Sequence, residues 1–238
     1  MSVAITIPTY NESKNLEQLI RKIIDLRIPE SVIVIIDDNS PDGTGELADR
    51  LGHTYENVRV IHRERKEGIG RAYSDAFLRL LRTNEIMSEK PSIIVQIDAD
   101  LSHDPSEIPK FLEKIKECDV VLGSRYIAGG GIRNWNIVRR WISLIGNIYA
   151  RSMLGLSYRD LTSGFKCFRS NVLENIHLES VDSLGYCFQI ETTYRAHRHG
   201  YKICEVPILF TERVEGNSKF DLGIIIESFL KVARMRNE

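Results

Sequence analysis

The sequence has 238 residues, 42% hydrophobic and 27% charged, which is enough apolar material to bury a full core and excludes disorder as the main state. Its 32 Lys and Arg nearly cancel its 33 Asp and Glu, so the global basic field that non-specific nucleic-acid binding needs is absent and any anion site must be local. Cys118, Cys167, Cys187 and Cys204 lie far apart without metal-ligand spacing, and four reduced, buried thiols are expected.

The amino terminus runs directly into an apolar strand, Val3 to Pro8, leaving no room for a signal-peptide core, so synthesis in the cytoplasm is expected. Leu16, Leu19, Ile20, Ile23 and Ile24 then recur at helical spacing. Ser31 to Ile36 is nearly all β-branched and ends in Asp37-Asp38; a Pro41-Asp42-Gly43 turn follows, and Leu47, Ala48 and Leu51 begin a second helix. Val58 to Ile61 predicts a third strand, the stripe from Ala72 to Leu81 a helix, Ser92 to Ile97 a fourth strand, Ile108 to Ile115 a helix and Val120 to Leu122 a fifth strand. Continuous apolar strands alternating with helices predict a mostly parallel α/β sheet covered on both faces, a Rossmann-like arrangement.

From Gly123 onward the rhythm breaks. Gly129-Gly130-Gly131 suggests a flexible connection, Ile137 to Leu154 a long helix, Ile203 to Phe210 a strand and Leu222 to Val232 a final amphipathic helix. One domain spanning 1–238 is expected, with residues 1–123 as a nucleotide-binding half and 124–238 as an acceptor-side extension. No stretch reaches the roughly 18 to 20 continuous apolar residues that span a bilayer, so any membrane contact is expected to be peripheral.

In a parallel sheet, ligands sit beyond the carboxyl ends of the strands, and here those ends carry Pro8-Thr9-Tyr10-Asn11-Glu12, Asp37-Asp38-Asn39-Ser40 and Asp98-Ala99-Asp100-Leu101-Ser102-His103. If the last of these is extended, alternation puts Asp98 and Asp100 on one side, where two hard carboxylates suit Mg2+ or Mn2+ with a diphosphate completing the shell. His103 is expected as a second-layer or solvent-facing residue rather than a base. No Gly-x-x-x-x-Gly-Lys-Ser/Thr loop is present, and Gly68-Ile69-Gly70 lacks the setting of a dinucleotide fingerprint, which counts against ATPase and dehydrogenase readings.

Those three strand ends, extended by Pro41-Asp42-Gly43-Thr44 and joined by Gly123-Ser124-Arg125-Tyr126 and Arg213-Val214-Glu215-Gly216-Asn217-Ser218-Lys219, together resemble the dolichyl-phosphate mannose synthases. These are inverting glycosyltransferases of A-type fold. The resemblance implies transfer of mannose from GDP-mannose to dolichyl or another polyprenyl phosphate with Mg2+ or Mn2+. It also implies work at the cytoplasmic face of a membrane, with or without a separate membrane-anchoring subunit.

Position by position, it implies that Pro8, Tyr10, Glu12, Ile36 and Asp38 frame the nucleoside and that Asp98, Ala99 and Asp100 line the diphosphate. Asp100 would be the main metal ligand, Asp98 would assist, and Ser102 would stand where some relatives carry a Gln ligand. Arg125, Arg139, Arg213 and Lys219 are assigned to phosphates, because guanidinium groups bond phosphate oxygens in pairs, and Ser143 adds a hydroxyl for the acceptor. The wider family also holds polyprenyl-phosphate glucosyltransferases that use UDP-sugars. Sugar-nucleotide nucleotidyltransferases share acidic metal ligands but resemble a Gly-rich loop after the first strand, which Pro8 to Glu12 does not match. A non-catalytic nucleotide-sugar-binding regulatory subunit is the remaining alternative. The apolar width of Trp135 to Leu154, with Arg133, Arg139, Arg140 and Arg151 among or beside it, predicts an interfacial helix that meets the membrane surface.

Overall fold

The computed structural model describes residues 1–82, 85–135, 137–181, 185–212 and 222–236. Five strands follow the alternation expected: β1 (Val3–Thr9), β2 (Ser31–Asp37), β3 (Val58–His62), β4 (Ile93–Gln96) and β5 (Val120–Ser124). Between them run α1 (Leu16–Asp25), α2 (Thr44–Thr54), α3 (Ile69–Leu81) and α4 (Ile108–Lys114). The second half holds β6 (Gly131–Arg133), α5 (Ile137–Leu154), β7 (Lys166–Arg169), α6 (Ser170–Asn175), α7 (Tyr186–Arg198), β8 (Ile203–Pro207), β9 (Leu209–Thr211) and α8 (Leu222–Met235).

The main sheet has seven strands in the order β3-β2-β1-β4-β7-β5-β8. All its pairings are parallel except those of β7, which is antiparallel to both β4 and β5. β7 and β8, from beyond residue 123, complete the sheet begun by β1 to β5. The strand expected over Ile203 to Phe210 breaks at Ile208: β8 stays in the main sheet, while β9 pairs with β6 in a two-stranded parallel ribbon. Nor is the triple glycine a loose link. Gly130 turns so tightly that an added Cβ would lie 2.5 Å from the Ser124 carbonyl oxygen, and Gly131 enters β6.

Strand alternation sends side chains to two apolar layers. Ile5, Ile7, Ile33 and Ile35 meet Leu16, Leu19, Ala48, Ile108 and Phe111 on one face, whereas Ala4, Val34 and Ile36 meet Ala72, Tyr73, Phe77, Val172 and Phe188 on the other. A third cluster joins α5, α7 and α8 through Ala150, Leu154, Ile190, Tyr194 and Val232. The cysteines correct the expectation of four thiols. Cys118 and Cys204 form a disulfide with a Cα separation of 6.1 Å, because the parallel pairing of β5 with β8 brings together residues 86 apart in sequence. Cys167 and Cys187 are free and buried.

Candidate functional site

The chain leaves β1 for β2 and β3 on one side and returns through β4 on the other, so the topological switch point lies between the carboxyl ends of β1 and β4. The loop after β1 is stitched to the loop after β2 by three successive backbone amides. Asn11 N–H donates to Ser40 Oγ (3.0 Å), Glu12 N–H to Thr44 Oγ1 (2.9 Å) and Ser13 N–H to Asp42 Oδ2 (3.1 Å). Ser40, Asp42 and Thr44 thus shape the crevice wall. Asp37 anchors the same turn, accepting from Thr9 Oγ1, Ser40 Oγ and Ser40 N–H.

Asp38 takes a bond of 2.5 Å from Arg63, in an ion pair whose side chains are only 9% and 5% exposed. Burial raises the Asp38 carboxyl above its ordinary value, and the Arg63 bond and charge oppose that shift without cancelling it. Arg63 was missed in the sequence because it sits in no motif, one residue past β3. Tyr10 lies beneath Lys66, whose Nζ is 3.8 Å from the ring centroid, and Glu12 accepts from Asn15 Nδ2 (3.0 Å). Pro8 and Ile36 are register partners in β1 and β2. Ile36 is fully buried and its side chain packs in the layer beneath α3.

Beyond β4 the backbone is not extended, contrary to the alternation expected: Ala99 and Asp100 form a turn, and Leu101 has φ 59°. Such a conformation costs a β-carbon residue about 1–3 kcal/mol and is held only where its surroundings fix it. Here Asp100 fixes it, because its Oδ1 accepts both the Ser102 amide (3.0 Å) and the Ser102 hydroxyl (2.5 Å). Ser102, expected as a metal donor, is thus a brace for Asp100. Ala99 is buried. The Asp98 side chain is 25% exposed; its Oδ1 accepts from Tyr73 Oη (3.1 Å), and its Oδ2 lies 3.7 Å from His103 Nδ1. Burial, helped by the Asp98 charge, raises the Tyr73 phenol well above its ordinary value, so it stays a donor. His103 is buried between Phe165 and Phe210, which removes it from solvent.

Two hard carboxylates suit Mg2+ or Mn2+. Among the described residues no group of three or more His, Cys, Asp and Glu makes a closed cage, so such a cation would take the rest of its shell from substrate oxygens and water.

Arg125, expected at a phosphate, is held by a counterion within the protein. At the end of β5, with a side chain 5% exposed, it pairs with Asp160 through Nε (2.7 Å) and Nη2 (2.7 Å), and Nη2 also reaches Thr162 Oγ1 (2.8 Å). A buried guanidinium needs such a counterion. Burial alone would raise the Asp160 carboxyl, but the charge and hydrogen bonds of Arg125 outweigh it and hold it below the ordinary value. Asp160→Ala is expected to destabilise the fold by about 3–5 kcal/mol, because Arg125 would remain buried without its charge partner. Denaturant unfolding measures this loss. The pair's contribution is present above the unfolded carboxyl value of about 3.9 and is lost as pH falls through the lower folded one.

Arg139 on α5 is bonded to Glu212 (2.8 Å) and lies over the Trp135 ring at 4.4 Å. Ser143, one turn on, accepts from Tyr126 Oη (2.8 Å). Asn147 ties this helix to the loop before β7, donating to Thr162 Oγ1 (3.0 Å) and accepting from Leu161 N–H (2.7 Å). Arg213 and Lys219 lie outside the described residues.

The model of glycosyl transferase family 2 matches residues 4–177, a span that takes in β1 to β5, the acidic turn and β7. The chain belongs to glycosyl transferase family 2. This glycosyltransferase is 41% identical over 234 residues to the undecaprenyl-phosphate mannosyltransferase of Micrococcus luteus, covering 98% of this chain and 93% of that protein. It is 43% identical over 231 residues to the polyprenol monophosphomannose synthase of Mycolicibacterium smegmatis, covering 96% and 84%. Among solved structures, the glucosyl-3-phosphoglycerate synthase of Mycobacterium tuberculosis in complex with Mn2+ and UDP-glucose superposes with a TM-score of 0.68 at 20% identity, covering 98% of this chain and 79% of that one. The fold of the glycosyltransferase is thus the A-type fold expected.

Proposed function

We propose that this glycosyltransferase moves mannose from GDP-mannose to the phosphate of dolichol or another polyprenol, with inversion, on the cytoplasmic face of a membrane. The observation that carries this reading is the two-sidedness of α5. Ile137, Val138, Trp141, Ile145 and Ile148 are exposed, while Arg139 and Ser143 on the same helix engage Glu212 and Tyr126 of the protein. An acceptor with a phosphate head and a long apolar tail needs those two environments side by side. The relatives named for mannose transfer to undecaprenyl phosphate and for polyprenol monophosphomannose synthesis support the sugar and the acceptor class.

In this reading Glu12 and Asp38 accept hydrogen bonds from the nucleoside, above the floor made by Pro8 and beside Tyr10. Asp98 and Asp100 hold the cation, with Ser102 fixing Asp100. When bound, Mg2+ or Mn2+ neutralises charge on the departing diphosphate. Arg139 and Ser143 orient the acceptor phosphate, and Arg213 and Lys219 are assigned to phosphate oxygens as well. Arg125 shapes the acceptor side through Asp160. No side-chain base is required, because a phosphomonoester has its second pKa near 6 and is largely dianionic at neutral pH.

Offering GDP- and UDP-sugars with dolichyl phosphate and either cation, and extracting labelled lipid, tests the proposal. Label from GDP-mannose with release of GDP is the expected result. Label only from a UDP-sugar would reassign the donor, and binding without any product would make the chain a nucleotide-sugar-binding regulatory subunit.

A further inference from the structure

The acidic turn is gripped from behind by groups that none of the five motifs contains. Tyr73 projects from α3 into the core, fully buried, its ring stacked against Phe77 (centroids 5.7 Å) and Phe188 (6.0 Å), and its hydroxyl donates to Asp98 Oδ1. On the other side the backbone at Gly164 runs directly under the same carboxylate. A Cβ there would lie 2.5 Å from Asp98 Oδ2, closer than real Cβ atoms approach, and 3.0 Å from Oδ1, so the carboxylate would have to shift. Gly164 is itself held in place. The buried Gln96 side chain, at the end of β4, donates from Nε2 to the Gly164 carbonyl (3.0 Å) and to Gln189 Oε1 (2.8 Å). The Gln189 carbonyl in turn accepts from the buried Lys166 ammonium, which also donates to Thr193 Oγ1 (2.9 Å).

We infer that Tyr73 and Gly164 are positioning residues for Asp98: the tyrosine hydroxyl fixes the rotation of the carboxylate, and the bare glycine backbone lets it lie where a Cβ would displace it. The inference rests on the reading of Asp98 as a cation-facing group and deepens it. A carboxylate that bonds a hard cation loses rotational freedom on doing so, and a partner that has already fixed its orientation lowers that cost. Groups that orient metal ligands typically contribute about 10–100-fold to metal affinity or activity. The 25% exposure of the Asp98 side chain keeps it accessible to the crevice while its back is held.

The test is titration of Mn2+, followed by electron paramagnetic resonance, into the full-length chain with GDP or UDP present, whichever the wild type binds. Tyr73→Phe keeps the stacked ring and removes only the hydroxyl. It is expected to weaken Mn2+ about 10-fold, with little change in melting temperature and with turnover partly restored by excess Mn2+. Gly164→Ala is expected to weaken Mn2+ at least as much, by displacing the carboxylate. Asp98→Asn is the reference. If it loses Mn2+ affinity while Tyr73→Phe binds as the wild type does, the positioning role is overturned and the metal reading stands. A lower melting temperature with unchanged Mn2+ affinity in Tyr73→Phe makes the hydroxyl a fold contact only, which also overturns it. Wild-type Mn2+ affinity in Asp98→Asn overturns the metal role of Asp98 and the inference with it.

Discussion

Asp100→Asn is expected to lower turnover on the order of 100-fold or more while leaving the fold intact. The asparagine side chain keeps an oxygen where Oδ1 stands, so the Ser102 amide and hydroxyl retain their acceptor and the strained Leu101 turn keeps its anchor. In the proposed role of Asp100, what is lost is one unit of negative charge facing the cation, and with it the neutralisation of the departing diphosphate. Alanine would be a poorer probe, since it also releases the turn. Chelator-treated enzyme, replenished with Mg2+ or Mn2+ and assayed alongside a melting curve, separates the two effects. Near wild-type kcat at an unchanged melting temperature would remove Asp100 from the metal role.

The first half of the fold was legible because β1, β2, β4 and β5 are largely buried on both faces and read as mostly apolar runs; only the edge strand β3, interrupted by the exposed Arg59, departs from this. The second half hides its order in polar side chains. β7 is four residues long and begins with Lys166, a residue that suggests an edge, yet Lys166 is fully buried between β4 and β5. Burial lowers its ammonium to about 7, and the protein accommodates it with carbonyl and hydroxyl oxygens of α7. That accommodation is why α7 escaped detection: Gln189, Glu191, Thr192 and Thr193 are all buried, so the helix lacks the apolar period by which helices are recognised.

The site divides along the same line. The acidic turn and the loops after β1 and β2 announce themselves as polar clusters at the ends of apolar strands. The partner of Arg125, by contrast, is 35 residues away, and nothing local distinguishes a guanidinium bound to a buried carboxylate from one awaiting a phosphate. Asp160-Leu161-Thr162-Ser163-Gly164 carries no period at all. Its one sequence signal was a cluster of turn-forming residues with a glycine two residues before a strand, which marks a place where the backbone approaches something closely.

Replacing Ile145 and Ile148 together by Asp is expected to abolish co-sedimentation with liposomes and activity toward a long-chain polyprenyl phosphate, while sparing a short, soluble prenyl phosphate. Ile137, Val138, Trp141, Ile145 and Ile148 are 52–70% exposed, and at 100° per residue they fall within one continuous face of α5. Ile142 is half-buried and the opposite side carries the buried Asn147, Ala150 and Leu154, so the helix already has its protein-facing contacts without this stripe. Next to it, Tyr149 of α5 donates to the Phe229 carbonyl of α8, whose Leu230 is also exposed. Among the described residues no helix is long and apolar enough to cross a membrane. Two isoleucines inserted among acyl chains contribute about 3 kcal/mol or more, roughly a hundredfold in partitioning, and aspartate reverses the sign. Because both side chains face outward, the melting temperature should not change. Loss with both acceptors together with a lower melting temperature would assign the stripe to a protein contact. Retention of the short acceptor alone would show that the exposed face of α5 delivers the lipid, separately from the acceptor-phosphate contacts of Arg139 and Ser143 on its other side.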